Sequence, residues 1–246
     1  MSVVNERLRS GLASAEIPQA VLAERCGVDP KSVERWITQD RMPHAGTRAK
    51  VARILGMDET YFWPALLRAE RAKNATEAEL VQIWPTREAV PPDTWRSFLN
   101  QTRSQLDVLV YAGGFLIEAY GLVNVARVKA EAGAHVRLLI GDSRCEAVRQ
   151  RGREEGLPAL AERCRSTAEY LADVAQLPGV DVRTHDTVLY SSQYRFDDSM
   201  LVNNHAYGSR AAYSPVMHLK KVPGGHLFAH HDDAFERVWS TGRPLA

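Results

Sequence analysis

His218 and Lys220 form the single His-x-Lys pair of the chain. If they lie on a strand, alternation places both side chains on one face, so that an imidazole and a cation would stand together. Nucleophilic phosphoryl transfer also needs an acid that orients the histidine. The pair therefore makes phosphoryl transfer one activity to test against the rest of the sequence.

A second group of polar side chains accompanies apolar strands in the C-terminal half. Arg195 and Asp197 alternate onto one face of an extended segment, which predicts an inward-pointing ion pair. Polar groups beside the strands of an α/β sheet favour a pocket for a small polar or anionic effector. A self-satisfied network that braces the strands, or a dimer contact, would use the same residue types. The candidate ligand-binding residues are Asp142, Arg183, Arg195, Asp197, Asn203 and His205.

Alternating strand and helix patterns predict the fold that positions these groups. Apolar runs predict strands at 106–112, 136–140, 180–185, 193–203 and 216–220. Helical patterns stand at 94–104, at 117–132, in two charged segments after residue 142, and at 233–239. Strands separated by helices predict parallel pairing through right-handed crossovers, and therefore an α/β sandwich.

The N-terminal part has a different pattern, typical of two short helices that cross. Gly27 ends a helix that begins at Gln19, because glycine suits the left-handed turn after a helix. Asp29 is a good N-cap and Pro30 is favoured at the first helical position, so a second helix begins at about Pro30. The apolar anchors of that second helix are Val33, Trp36 and Ile37.

Polar side chains occupy the face that these anchors leave free. A helix whose N-terminal half carries such groups fits the major groove of DNA, where Arg35 would reach guanine or phosphate. The candidate DNA-contacting residues are Gln19, Lys31, Ser32, Glu34, Arg35, Arg41 and Arg48. An interaction module without DNA would show the same helical periodicity, so that alternative stays open.

The segment from Ile17 to Phe62 resembles the lambda-repressor-like helix-turn-helix of the xenobiotic-response-element type regulator family. The matched positions are Gln19, Leu22, Ala23, Gly27, Val28, Val33, Trp36, Pro43, Ala52, Leu55, Gly56 and Phe62. The resemblance implies that Gln19 contacts the DNA backbone and that residues 30–35 enter the groove. The sequence departs from the family pattern at residues 37–39, where Ile, Thr and Gln replace an acidic-basic-glycine turn.

Residues 94–242 resemble one half of the phospholipase D-like fold, and also the C-terminal domains behind such DNA-binding modules in actinobacterial regulators. Active phospholipase D enzymes carry His-x-Lys followed after four residues by Asp. The best-aligned stretch, SQYRFDDSMLVNNHAYGS, has no His-x-Lys, and the pair at His218 and Lys220 has Gly225 where the Asp would stand. The resemblance therefore implies a degenerate domain, and we expect the protein not to be an enzyme.

Composition and helix-breaking residues divide the chain into three parts. We expect an all-α helix-turn-helix bundle at 1–66, a helical and proline-rich linker at 67–93, and the α/β sandwich at 94–246. The 246 residues, 45% of them hydrophobic, suffice for two cores. Three cysteines without a paired short spacing favour a reducing compartment and no metal site. We expect no cofactor, signal region or membrane span, and a cytoplasmic, nucleoid-associated protein.

The excess of positive charge in the N-terminal part is small, so useful affinity for DNA would need two copies on one duplex. The resulting hypothesis is a homodimeric, sequence-specific transcription regulator of double-stranded DNA, whose α/β domain dimerises and binds an effector. Two alternatives remain. One is a phosphodiesterase or nuclease that uses the C-terminal domain, and the other is a protein-binding antagonist of another regulator.

Overall fold

A computed structural model of the chain describes residues 4–66 and 75–245. The chain divides into two compact units, Met1–Lys73 and Asn74–Ala246. The first unit is helical, and the second combines helices with one eight-stranded mixed sheet. The predicted linker at 67–93 is only partly described, and its residues 75–93 fall in the second unit.

The first unit is a bundle of short helices. The helices are α1 (Glu6–Ser14), α2 (Gln19–Cys26), α3 (Pro30–Thr38), α4 (Ala45–Leu55) and α5 (Glu59–Phe62). Gly27 ends α2 in the left-handed region, with φ of 71°, and the Asp29 side chain accepts the Lys31 backbone N–H at 2.8 Å. These ends of α2 and α3 confirm the prediction. The core of the bundle includes Leu8, Leu22, Val33, Trp36, Val51, Phe62 and Trp63.

The second unit is built on one sheet. Its strands are β1 (Leu80–Trp84), β2 (Gln105–Val110), β3 (His135–Gly141), β4 (Val180–His185), β5 (Ser191–Phe196), β6 (Ser199–Asn204), β7 (Val216–Lys220) and β8 (Arg243–Pro244). Their spatial order is β1-β7-β6-β5-β2-β3-β4-β8. β2, β3 and β4 pair in parallel, whereas the other pairings are antiparallel. The predicted parallel sheet is correct only for the strands that alternate with helices.

Helices cover both faces of this sheet. They are α6 (Pro92–Gln101), α7 (Gly114–Tyr120), α8 (Leu122–Glu131), α9 (Glu146–Glu154), α10 (Leu160–Leu171) and α11 (Leu227–Thr241). Trp95, Leu116 and Leu122 belong to the core on one face, and Val148 and Phe235 belong to the core on the other. None of the helices described here has the length and apolar character needed to cross a membrane.

The segment 193–203, predicted as one strand, is a hairpin. β5 and β6 pair antiparallel and are joined by Asp197 and Asp198. Asp197 has φ of 53°, and its carboxylate accepts the backbone N–H groups of residues 103–105 at 2.7–2.9 Å. Because Asp197 lies in the turn, it does not share a strand face with Arg195.

Two predicted helices also differ from the structure. In the segment 67–93, predicted as a helical and proline-rich linker, the described helical residues end at 79, and Leu80–Trp84 forms an edge strand against β7. The helix predicted at 117–132 is interrupted by Gly121, which adopts φ of 62° between α7 and α8. In both places a tertiary pairing or a glycine overrides the helical periodicity.

Glu79 ties the start of the second unit to its last helix. The residue is 1% exposed, and its carboxylate oxygens accept the backbone N–H groups of Leu227 at 2.8 Å and Phe228 at 3.0 Å. Negative charge is favourable there because the first N–H groups of a helix lack intrahelical partners. A Cβ at Gly225 would lie 2.2 Å from Glu79 Cδ, so glycine permits this approach.

Candidate functional site

The exposed face of α3 is the candidate site of the first unit. Val33, Trp36 and Ile37 are at most 5% exposed and root the helix in the bundle. The same helix turns Lys31 and Arg35 outward. A helix with a buried root and a polar outer face presents its side chains rigidly to a partner.

The packing of α2 fixes how α3 is presented. Leu22, Ala23 and Cys26 of α2 are buried in the shared core. The backbone N–H of Val28 donates to the Ala23 carbonyl at 3.0 Å, which satisfies a carbonyl group at the end of α2. The short connection therefore holds the two helices in one arrangement.

Six of the seven predicted DNA-contacting residues lie at the surface. Gln19 begins α2 and is exposed, and Arg41 is exposed in the connection between α3 and α4. A groove of about 330 Å³ beside α3 is lined by Arg41 and by Ser32 and Arg35, and also by His44, which the sequence analysis missed. The remaining exposed predicted residues are Lys31 and Glu34.

Arg48 is used inside the bundle. Its Nε donates to Glu59 Oε2 at 3.0 Å, and its Nη1 donates to the Pro43 carbonyl at 2.9 Å. The guanidinium therefore braces the connection before α4 against α5. These contacts give Arg48 a structural role, whereas the sequence predicted that it contacts DNA.

The charge on the α3 surface is uncompensated. Among the residues that the structure describes, no carboxylate lies within ion-pair distance of Lys31, Arg35 or Arg41. An unpaired guanidinium keeps all its donors free for a phosphate or a base edge. The surface is thus chemically suited to a polyanion.

The six predicted ligand-binding residues of the second unit do not converge on one pocket. Asp142 lies 3.3 Å from the Arg243 guanidinium, at the β8 edge of the sheet. Arg183 lies over the Trp239 ring at 4.2 Å and donates to the Trp239 carbonyl at 3.0 Å. Both side chains brace the C-terminal segment against the sheet.

Two more predicted residues are engaged elsewhere. Arg195 pairs with Asp232 at 2.6 Å, and its Nε donates to the main-chain oxygen of Asp197 at 3.0 Å. The predicted ion pair between the Arg195 and Asp197 side chains is therefore wrong. Asn203 donates to the carbonyl groups of residues 214–215 at 3.1 Å. Both side chains make contacts within the fold, while the buried Asn203 Oδ1 has no hydrogen-bond partner among the described residues.

His205 is the predicted residue that lines a cavity. Its Nδ1 lies 3.2 Å from the Leu189 carbonyl and its Nε2 lies 3.0 Å from Ser192 Oγ. We assign the proton to Nδ1, because only that tautomer donates to the carbonyl and accepts from the hydroxyl. Burial, followed by the positive charges of Arg151 and Arg87, lowers the pKa of His205 to about 4. The imidazole is therefore neutral at pH 7.

The cavity beside His205 has a positive lining. It measures about 110 Å³ and is lined by Arg87, Arg163 and Arg210, which come from three separate elements. The one acidic lining residue, Glu155, is paired with Arg151 at 2.6 Å. Among the described residues no carboxylate pairs with the three lining arginines. This cationic pocket escaped sequence analysis because its arginines are far apart in the chain.

The His-x-Lys pair lies on β7, with a glycine at the position of the missing acid. His218 lies on β7 against the Phe98 ring, with the ring centres 4.9 Å apart. Burial and the neighbouring Lys220 lower the pKa of His218. Gly225, at the position of the missing acid, packs against the Glu79 carboxylate. His218 is a strand residue in contact with the core.

Asp197 offers a second register for the same pattern. If Asp197 were the aspartate of the pattern, Tyr190 would occupy the histidine position and Ser192 the lysine position. Tyr190 is 83% exposed, and Ser192 lies in the wall of the cationic pocket. Neither hydroxyl supplies the imidazole nucleophile or the cation, so the pattern is incomplete in both registers.

Comparison with solved structures finds remote likenesses, three of which are described here. The first is to TrmBL2, an archaeal chromatin protein whose structure shows a novel mode of DNA binding, with 16% identity and a TM-score of 0.45, over 96% of this chain and 86% of that chain. The second is to Nuc of Salmonella typhimurium, a phospholipase D family member, with 13% identity and a TM-score of 0.43. That match covers 66% of this chain and 95% of Nuc.

The third is to phosphatidylserine synthase of Haemophilus influenzae Rd KW20, with 13% identity and a TM-score of 0.44. That match covers 85% of this chain and 49% of the synthase, so the chain spans about half its length. No protein-family model matches the sequence, and no curated protein matches it. At these identities and TM-scores the likenesses carry no information on function.

Proposed function

We propose that the first unit is a helix-turn-helix that binds double-stranded DNA and that the protein regulates transcription on the nucleoid. The observation that carries this proposal is the exposed N-terminal half of α3, with unpaired cations on a helix whose root is buried. The major groove of B-form DNA, roughly 12 Å wide, admits such a helix. Phosphate contacts from the flanking residues would set its register.

The residues divide into two roles. Arg35, at the middle of the exposed face, is placed to read a guanine edge through two parallel hydrogen bonds. Lys31 and Arg41 flank it and would bind phosphates, as would Gln19 at the first turn of α2. Ser32 and Glu34 complete the groove-facing set.

Replacing Arg35 by alanine is expected to weaken binding to the selected DNA site by about 1–3 kcal/mol and to relax preference at one base position. The operator is first selected from randomised duplexes, and affinity is then titrated at fixed salt. The matched control is Arg53→Ala, an exposed arginine of α4 outside the α3 groove, which should leave both affinity and preference unchanged. Absence of any enriched duplex would reject the proposed function.

Pairing of two copies through the second unit would give the DNA-binding units the two-fold symmetry of an operator. The β1 edge supports this part of the proposal. β1 is an uncharged edge strand, and its Leu80, Val81 and Ile83 side chains are 36–55% exposed. The opposite edge, β8, has two residues, one of them proline, and so resists pairing. An apolar edge left open on one side only is suited to a second copy of the chain.

The double substitution Val81→Lys and Ile83→Lys is expected to convert a dimer to a monomer, because lysines on an edge strand oppose strand pairing. Analytical ultracentrifugation at micromolar concentration measures the change. Val128→Lys, a similar substitution at an exposed position of α8, is the control and should leave the dimer intact. A wild-type protein that sediments as a monomer with and without DNA would refute the dimer.

The cationic pocket supports the remaining part of the proposal, a small anionic effector. Arg87, Arg163 and Arg210 have no carboxylate partner among the described residues, and a bound anion would supply one. The adjacent His205 is neutral and weakly basic, so the pocket is better suited to binding than to hydrolysis. We therefore propose a binding function and no catalytic one for this unit.

A further inference from the structure

A second cavity of the second unit lies between α11 and the sheet. It measures about 530 Å³, within the roughly 300–1,000 Å³ typical of small-molecule sites. It shares no lining residue with the cationic pocket. Its walls include Leu109, Leu189, Gln193, His231, Ala234 and Val238. We call this cavity the α11 pocket.

The polar groups of the α11 pocket are few and specific. Gln193 on β5 is 4% exposed, and its Oε1 has no hydrogen-bond partner among the described residues. An amide oxygen left without a partner away from water is costly, and Oε1 is enclosed in this orientation of the amide. A ligand that donates a hydrogen bond gains affinity by turning the Gln193 amide so that Oε1 faces the cavity. Burial, and then the neighbouring His230, lowers the pKa of His231. Among the lysine and arginine side chains of the described residues, Arg237 is the one that lines the pocket.

These features define one class of ligand. The apolar walls formed by Leu109, Leu189 and Val238 accept a flat apolar body, Gln193 accepts an N–H or O–H, and Arg237 receives an anionic end. We propose that the α11 pocket binds a small aromatic acid that carries one N–H or O–H donor. The α11 pocket is a different site from the cationic pocket, and its aromatic acid is a different ligand from the anion proposed there.

The position of the α11 pocket connects it to the segment that follows the first unit. α11 supplies about half of the lining residues, and its N-terminus is held by the buried Glu79 carboxylate. Glu79 ends the helical residues 75–79 that open the described part of the second unit. A ligand that displaces α11 therefore acts on the attachment of this segment. An effect of this displacement on DNA binding rests on the proposed function, whereas binding of the aromatic acid does not.

The test measures binding to the whole protein by calorimetry, without DNA. Indole-3-acetate, which has an N–H, is compared with 1-naphthaleneacetate, which has none, and the indole acid is expected to bind more tightly by about fivefold. Gln193→Leu should remove that difference and leave 1-naphthaleneacetate unaffected. Ala234→Trp, which fills the cavity, should weaken both acids by at least about tenfold. Ala229→Trp, exposed on the same helix and outside the lining, is the matched control.

Several results would overturn the proposal. Failure of both acids to bind saturably at millimolar concentration would do so, as would equal affinity of the two acids for the wild-type protein. Binding that survives Ala234→Trp but is lost in Arg163→Gln would assign the acids to the cationic pocket. If Ala234→Trp does not fold, Gln193→Leu decides the outcome. Because DNA is absent, none of these results depends on whether the first unit is a DNA-binding module.

Discussion

Substitution of Arg137 by alanine is expected to lower the free energy of unfolding of the second unit by about 3–5 kcal/mol. Arg137 on β3 is 8% exposed and binds Asp107 on β2 through two hydrogen bonds, of 2.8 and 2.9 Å. It also contacts Glu236 of α11 at 2.8 Å. Burial opposes its charge, yet the hydrogen bonds that Arg137 donates to the two carboxylates outweigh burial and raise its pKa. Its removal leaves Asp107, 1% exposed, with Gln105 Nε2 at 2.7 Å and the Arg195 guanidinium at 3.8 Å as its remaining partners.

Hydrogen exchange of the β2 and β3 amides in increasing urea measures this loss. Arg149→Ala is the control, because its 2.9 Å pair with Glu146 is exposed on α9 and surface pairs are worth at most about 1 kcal/mol. The double substitution Asp107→Leu and Arg137→Met should recover most of the lost stability, since it removes both charges together. Equal effects of Arg137→Ala and Arg149→Ala would show that the buried pair is not the source of stability.

Local chemistry made the helices of the first unit predictable. Gly27 and Asp29 act through their own backbone geometry and through a hydrogen bond two residues away, so their effect is visible in a short stretch of sequence. The β5–β6 hairpin was missed because its turn depends on Asp197 binding the amides of residues 103–105. A contact across more than ninety residues leaves no local pattern.

The same distinction explains the candidate sites. The outer face of α3 follows from one amphipathic helix, so Lys31, Ser32, Glu34 and Arg35 were named from periodicity. Arg48 lies on α4 and is drawn into an internal ion pair. The cationic pocket combines Arg87, Arg163 and Arg210, which are assembled by sheet topology. The polar residues next to strands were predicted to share one pocket, but most of them contact other parts of the fold, as Arg195 contacts Asp232 and Asn203 contacts Ser214.

Substitution of Trp36 by alanine is expected to destabilise the first unit by about 3–5 kcal/mol and thereby to abolish DNA binding without removing a DNA contact. Trp36 is 5% exposed and packs in a core shared with Leu22, Val33 and Phe62. A small bundle has a stability of only about 5 kcal/mol, near the low end for folded domains, so this loss populates the unfolded state. Hydrogen exchange of the α2 and α3 amides and titration with the selected DNA measure the two effects together.

Comparison of Trp36→Ala with Arg35→Ala distinguishes the loss of a core side chain from the loss of a DNA contact. Arg35→Ala should keep the wild-type amide protection of α3, since the side chain is exposed and has no partner among the described residues. Trimethylamine N-oxide, which favours compact states, should restore DNA binding to Trp36→Ala and leave Arg35→Ala unchanged. A Trp36→Ala protein with protected α3 amides and wild-type affinity would show that α3 is held by the rest of the core, and the buried root would no longer explain how the helix is presented.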